Sequence, residues 1–365
     1  MDYPAQRREK LMHALRQEGL DALLVSSPVN VTYLTGFSGE SSYLILAPQR
    51  TILVSDFRFV EQIAEECPDL EAHIRPPSQA LPLAVAEVLD KLGFRSIGFE
   101  SGHLNVAEYE ILREKTPSLD WKGGRDRVEQ LRAIKDPSEV AQIREAIAIA
   151  ERAFAAFRSL LRPTDSEKDL ADALEGYVRR AGGWGTSFPS IVAVGDRAAL
   201  PHAPPTARTV GEGELLLVDW GAIGRFYKSD LTRVLAPRRI STKLEEVYTV
   251  VLRAQERAIQ RIRPGVKAHD VDAEARAVIA EAGFGDSFGH GVGHGLGLQV
   301  HEAPFMRPTS ETVLQAGMVM TVEPGIYLPG WGGVRIEDDV LVTPDGCEVL
   351  THVARDLASI AIFDW

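Results

Sequence analysis

A succession of long helix, Arg-Pro, second helix and Ala-Gly occurs twice in this chain. The first copy runs VAQIREAIAIAERAFAAFRSLL into Arg162-Pro163, continues through a helical stretch containing Asp169, and reaches Ala181-Gly182. The second runs LEEVYTVVLRAQERAIQRI into Arg263-Pro264, passes Asp270 and reaches Ala282-Gly283, so that all three landmarks recur 101 positions later. Each copy then continues into strand-like segments that include one hairpin bearing acidic residues. The pattern predicts two copies of one helix-helix-strand unit, and a site made of one hairpin from each copy sits at their junction.

The first hairpin is LLLVDWGAIGRFYKSDLTRVL, two apolar runs around a Gly-containing turn. With Gly224 and Arg225 as the central turn residues of a type II′ turn, antiparallel pairing places Asp219 directly opposite Asp230. Opposed side chains have Cβ atoms roughly 4.5–5.5 Å apart, and two like charges that close repel unless a cation lies between them. The second hairpin has Glu323 at the end of MVMTVEP and Glu337 inside VRIEDDVLVT, with PGIYLPGWGG read as the loop between them.

Between the hairpins lies SFGHGVGHGLGLQVHEAP, with His290, His294 and His301 and five glycines from Gly289 to Gly297. That glycine content argues against a helix. As extended chain, His290, Val292, His294 and Leu296 share one face, and the alternating glycines let another backbone approach closely. His301 has the opposite parity, so it reaches the same cavity only through a bulge or at the end of the strand. Taken singly, Asp219 or Glu323 is an ordinary turn residue and a glycine-rich histidine run an ordinary loop. Together, Asp219, Asp230, His294, Glu323 and Glu337 supply the four carboxylates and one imidazole that two hard divalent cations sharing a site require.

At 365 residues the chain is long for one core. Up to residue 125 strand-like runs (DALLVSS, SSYLILAP, RTILVSD, EAHIR, RSIGFES) alternate with helical ones, which predicts a separate α/β domain over residues 1–125 and a second domain over 126–365. A net charge of −12 disfavours nucleic acid or an anionic membrane surface as partner. Two cysteines, Cys67 and Cys347, are too few for a disulfide scaffold. The N-terminal segment lacks an uninterrupted apolar stretch, and no run approaches the roughly 18 residues of a membrane-spanning helix, so the cytoplasm is the expected compartment.

FPSIVAVGDRAALPHAPPT, LLLVDWGA, SDLTR, GHGVGHGLGLQVHE, TVEPGIY and GVRIEDDVLVT, in that order, resemble the proline-specific branch of the M24 metallopeptidase family, which includes creatinase, prolidase and methionine aminopeptidase. NVTYLTGFSG and SDFRFVEQ are similar to the extra N-terminal domain of Xaa-Pro peptidases and creatinases. The resemblance implies an α+β fold, with a C-terminal duplicated pita-bread catalytic domain and a smaller N-terminal α/β domain of creatinase type. It implies that Asp219 is bidentate on one cation, that Asp230 and Glu337 bridge two, and that His294 and Glu323 complete the second. Oxygen-rich ligation with one imidazole suits Mn²⁺ first and Co²⁺ or Zn²⁺ next.

By the same resemblance, a hydroxide bridging the cations attacks the bond before proline, and Glu323 moves the proton to the leaving nitrogen. His202 and His301 hold the carbonyl oxygen, while His290, Tyr327 and Arg335 contact substrate or support the ligands. The implied partners are proline-containing peptides and, as a homodimer, a second copy of the chain. An Xaa-Pro aminopeptidase is the first expectation and an Xaa-Pro dipeptidase (prolidase) the alternative. Some related dipeptidases place an arginine just after the His-Glu pair to hold the substrate's carboxylate, and Phe305 in that neighbourhood tilts the reading toward longer peptides. A metal-independent creatinase-like amidinohydrolase or a non-catalytic binding module is more remote, since either should have lost the carboxylates kept here.

Overall fold

The computed structural model describes residues 3–362, which divide into two compact units, one ending at Arg132 and the other beginning at Ala133. The first unit is built on β1 (Ala22–Val25), β2 (Tyr43–Ala47), β3 (Arg50–Asp56), β4 (Glu71–Arg75), β5 (Ser96–Glu100) and β6 (Asp120–Gly124). These form one mixed sheet in the order β4-β3-β2-β1-β5-β6. The connecting helices are α1 (Tyr3–Gln17), α2 (Pro28–Thr35), α3 (Val60–Glu66), α4 (Leu81–Leu92), α5 (Val106–Lys115) and α6 (Arg127–Arg132). Leu24, Ile45 and Val54 of the sheet pack with Val85 and Leu89 of α4 and Leu112 of α5. The division falls past the expected break after residue 125 because β6 pairs with β5 and Val128 of α6 is fully buried, which ties this stretch to the first unit.

The second unit contains the repeat. Its first copy has α7 (Pro137–Leu160) and α8 (Glu167–Arg180), then β7 (Gly185–Thr186), β8 (Ile191–Val194), β9 (Leu216–Trp220), β10 (Ala222–Ile223) and β11 (Leu231–Leu235). Its second copy has α9 (Thr242–Arg261) and α10 (Ala268–Glu281), followed by β12 (Gly293–Gly295), β13 (Glu302–Met306), β14 (Val319–Val322), β15 (Gly325–Leu328), β16 (Gly332–Arg335), β17 (Asp338–Val342) and β18 (Cys347–Val349). Helix ends match across the copies: Leu160 with Arg261, Glu167 with Ala268 and Arg180 with Glu281 are each 101 residues apart. Gly182 and Gly283, just past the second helix of each copy, both have positive φ, a conformation glycine adopts without steric cost.

Strand alternation explains how carboxylates reach the middle of this unit. Along β9, Leu216, Val218 and Trp220 pack with Ala150, Phe154 and Leu174 of α7 and α8. Leu215 and Leu217 point the other way, into a core shared with the second copy, and Asp219 follows their parity. On β11, Leu231 and Leu235 join the first core and Val234 the second, so Thr232 and Asp230 also face the second copy. In the second copy Met320 and Val322 of β14, with Val340 and Val342 of β17, enter the core of α9 and α10. Thr321, Glu323 and Glu337 take the opposite parity and face the first copy. A bridge between Thr232 and Glu337 joins the two sheets at this point.

Two expected details differ. The β9-β11 ladder sets Asp219 opposite Thr232, not Asp230. Gly224 N–H donates to Tyr227 C=O, so the central turn residues are Arg225 and Phe226, one position later than expected, which slides the register by two and leaves Asp230 diagonal to Asp219. PGIYLPGWGG is largely not a loop. It supplies β15 and β16, with Gly325 opposite Arg335 and Leu328 opposite Gly332. Because β14 and β17 keep the same register, with Val322 opposite Asp338, Glu323 and Glu337 stand across the hairpin from one another as expected.

Candidate metal centre

All ten side chains singled out from the sequence line one cavity of about 1330 Å³: Asp219, Asp230, His294, Glu323 and Glu337 with His202, His290, His301, Tyr327 and Arg335. Asp230, His294 and Glu337 each present one ligand atom, all within 4.8 Å of one another. His294 Nε2 lies 3.2 Å from Glu323 Oε1 and 3.7 Å from Asp230 Oδ2.

The glycines around His294 are required by backbone approach. A Cβ on Gly293 would lie 2.0 Å from the Thr321 carbonyl oxygen, and one on Gly295 would lie 2.2 Å from that of Ala303. Bare backbone therefore lets β12 slot between β13 and β14, with His294 between the two glycines. Only Gly293–Gly295 is strand, so the period-two face does not extend over the whole run: Val292 and Leu296 are fully buried while His290 and His294 enter the cavity. The β12-β13 register slips after His294, and His301, just before β13, brings its ring to 4.3 Å from that of His294. The parity problem of His301 is thus solved by the slip.

The carboxylates are held by a hydrogen-bonded frame. Arg335, 3% exposed, donates to Asp219 Oδ2 at 2.5 Å, to Thr232 Oγ1 at 3.0 Å and to the Tyr327 hydroxyl at 2.8 Å. Thr232 Oγ1 in turn donates to Glu337 Oε2 at 2.6 Å. Thr321 Oγ1 receives the His294 N–H and donates to Glu323 Oε1. The Tyr327 hydroxyl is also 2.9 Å from His290 Nε2. Behind Glu337, Arg233 donates to the Glu337 carbonyl and to Asp338 Oδ1, while Asp339 Oδ2 accepts the Asp230 N–H. The sequence reading did not single out Thr232, Thr321, Arg233 or Asp339. The signal for Thr232, Thr321 and Asp339 was a spacing of two from Asp230, Glu323 and Glu337; Arg233 carries no such signal.

Burial and mutual repulsion set the electrostatics of these acids. Burial, compounded by Glu337, Asp219 and Glu323, pushes the Asp230 carboxyl well above its usual range. Burial and the charges of Glu323 and Asp219 do the same to Glu337. Burial raises Asp219 too, against the pull of Arg335. At Glu323 burial again opposes ionisation, yet the hydrogen bond and charge of His294 bring it down to about 2. Asp219 Oδ1 is buried without a hydrogen-bond partner. Four carboxylates facing one arginine and one imidazole, with an orphaned oxygen among them, fit divalent cations. Desolvated charges in this geometry are stable only when a cation or a proton neutralises them. The Nδ1 of His294 lies 3.2 Å from the Gly295 carbonyl, which leaves Nε2 to face the acids as a ligand does.

Two family models match the chain: the creatinase/prolidase N-terminal domain over residues 7–134 and metallopeptidase family M24 over residues 141–344. A solved Xaa-Pro dipeptidase from Bacillus anthracis is similar at 37% identity and a TM-score of 0.92, over 97% of this chain and 99% of that one. The X-Pro aminopeptidase structure from Thermotoga maritima is similar at 34% identity and a TM-score of 0.89, over 96% and 99%. The Xaa-Pro dipeptidase of Pyrococcus furiosus is 34% identical over 96% of this chain and 99% of its own length.

Proposed function

Because this chain belongs to metallopeptidase family M24, with a creatinase-type N-terminal domain and a pita-bread catalytic domain, we propose that it is an Xaa-Pro peptidase whose preferred substrates are free Xaa-Pro dipeptides. The observation that carries the reading is the convergence of Asp219, Asp230, His294, Glu323 and Glu337 in one cavity. We assign these five as ligands of two divalent cations, Mn²⁺ before Co²⁺ or Zn²⁺, on the oxygen-rich donor set. When bound, the cations polarise the scissile carbonyl and lower the pKa of the attacking water.

The protein's own groups do the rest. Glu323 accepts a proton from that water and delivers it to the proline nitrogen. The new C–O bond forms first, and the C–N bond breaks as the proline nitrogen takes the proton, releasing an amino acid and proline. His202 and His301 donate hydrogen bonds to the carbonyl oxygen as charge builds on it. His290 and Tyr327 form one wall through their mutual hydrogen bond. Arg335, with its donors engaged by Asp219, Thr232 and Tyr327, orients ligands instead of touching substrate.

The sequence put the aminopeptidase first, but relatives named Xaa-Pro dipeptidase at 34% and 33% identity over nearly the whole chain favour the alternative. The aminopeptidase reading keeps two observations in its favour: the similar structure from Thermotoga maritima, and a cavity larger than the roughly 300–1,000 Å³ typical of small-ligand sites. The test is turnover by metal-stripped protein reconstituted with Mn²⁺, comparing Ala-Pro, Ala-Pro-Pro and Ala-Ala. Mn²⁺-dependent cleavage of Ala-Pro above the other two is expected. Cleavage of Ala-Ala at an equal rate, or activity that survives stripping, would overturn the proposal.

A further inference from the structure

His202 is exposed and lines the cavity, yet it has no hydrogen bond or ion pair with any described residue. Its place is therefore set by its backbone. That backbone belongs to a segment that leaves β8 at Val194, makes a 3₁₀ turn over Gly195–Ala199 and lines the cavity with all of residues 200–205. Pro201, Pro204 and Pro205 stiffen it. A Cβ on Gly333 would lie 2.0 Å from the Ala198 carbonyl oxygen, so the turn rests directly on β16, the strand that ends at Arg335.

The two ends of the segment meet at one carboxylate. Glu167, the first residue of α8, is fully buried. Its Oε1 accepts the Val194 N–H at 2.8 Å, and its Oε2 accepts the N–H and the hydroxyl of Thr206 at 2.8 and 2.7 Å. Arg197, between them in the chain, donates from Nε to both oxygens at 3.0 and 2.9 Å and from a terminal nitrogen to the Pro204 carbonyl. A buried carboxylate is stable only while such donors stay in place, so any displacement of the segment strips partners from a desolvated charge.

Neither the helix nor the repeat needs this acid. Ser166 with Asp169 caps the start of α8, which leaves the Glu167 carboxylate free to turn to the segment. One repeat later its counterpart is Ala268. The second copy still makes the same pair of backbone bonds: Glu167 N–H to Arg208 C=O and Lys168 N–H to Thr206 C=O are matched by Ala268 N–H to Thr312 C=O and His269 N–H to Ser310 C=O. The carboxylate is thus an addition to the copy that carries His202.

We propose that Glu167 is a positioning residue for the reaction: by gathering Val194, Arg197 and Thr206 onto one buried charge, it sets where His202 stands relative to the scissile carbonyl. The assignment rests on the Xaa-Pro reading above and on the hydrogen bond that reading gives His202. Because His202 adds no anchor of its own, a backbone shift of about 1 Å moves its ring by as much, and a misplacement of that size costs on the order of 10²-fold in rate.

The test is a double-mutant cycle on Ala-Pro with Mn²⁺-reconstituted wild type, Glu167→Gln, His202→Ala and the pair. The glutamine keeps the shape but sets a donor where the carboxylate received donors. Glu167→Gln is expected to lower kcat at least tenfold, with KM changed less than threefold and Mn²⁺ affinity by calorimetry changed less than twofold. In the His202→Ala background the same change should cost less than twofold. Hydrogen exchange of metal-stripped Glu167→Gln should rise at least tenfold over residues 195–206 and stay at the wild-type rate in α7. Thr206→Val, which removes one donor and leaves the charge paired with Val194 and Arg197, should give a smaller kcat loss that also vanishes without His202; it carries the test if Glu167→Gln does not fold. An unchanged kcat, or losses that add in full in the pair, overturn the assignment while leaving the Xaa-Pro reading intact. Wild type that does not cleave Ala-Pro, or His202→Ala that cleaves it as wild type does, overturns the underlying reading and the assignment with it.

Discussion

Replacing Asp230 with asparagine should stabilise the metal-stripped protein at alkaline pH while abolishing its gain from cations. Ligand atoms of Asp230 and Glu337 lie within 4.8 Å of each other. Two full charges at that separation repel by about 3.5 kcal/mol at an effective dielectric near 20. Burial first, and repulsion among the clustered acids after it, make the folded protein retain protons, so both carboxyls are raised well above their usual range. A carboxyl whose folded pKa exceeds its unfolded value adds stability that is complete below the unfolded value and is lost as pH climbs toward the folded one. Metal-stripped wild type should therefore lose stability from about pH 4 upward, and Asp230→Asn should lose less.

The gap between them should be about 1–3 kcal/mol at pH 8 and close to zero at pH 4. Urea unfolding in excess chelator at the two pH values measures it. Adding Mn²⁺ should reverse the order at pH 8, since a ligand at a hundred times its Kd adds about 2.7 kcal/mol to the chain that binds it. A variant less stable than wild type in chelator at pH 8, or a gap that does not change with pH, would refute the reasoning.

Thr232→Val removes the hydroxyl that links Arg335 to Glu337, and Mn²⁺ affinity by calorimetric titration should fall about 10–100-fold. Arg335→Met leaves Asp219, whose Oδ1 already lacks a partner, buried without its cation, and unfolding in chelator at pH 8 should show a loss of about 3–5 kcal/mol. Gly293→Ala would set a Cβ 2.0 Å from the Thr321 carbonyl and should prevent normal folding, whereas Gly289→Ala, with open space around it, should leave the melting temperature within a few degrees of wild type. Circular dichroism melts separate the two.

The repeat was legible because helix ends are written in local chemistry. Proline stops and Ala-Gly exits fall where α7, α8, α9 and α10 end or begin, and the 101-residue offset survives in the structure. The acidic residues were legible because strand parity puts every second residue on one face. What was lost depends on contacts distant in sequence. The helix α2 was missed because PVNVTYLT has β-branched residues and no helical stripe. It is capped by Gly36 in the left-handed region and buries Val31, Tyr33 and Leu34. The strand β6 was missed because DWKGG has few residues that favour strands; it forms by pairing with β5. The Asp219 register depended on which residues centre the turn, and Gly224 pointed one position too early.

The central claim is that the acidic faces of the two copies close around a shared two-cation centre. Anomalous diffraction from crystals grown with Mn²⁺ tests it most directly. The account predicts two Mn²⁺ peaks per chain, both ligated within the set Asp219, Asp230, His294, Glu323 and Glu337, and both removed by a chelator that also stops Ala-Pro cleavage. Mn²⁺ bound elsewhere, or full turnover in crystals and solution from which both peaks are gone, would contradict it.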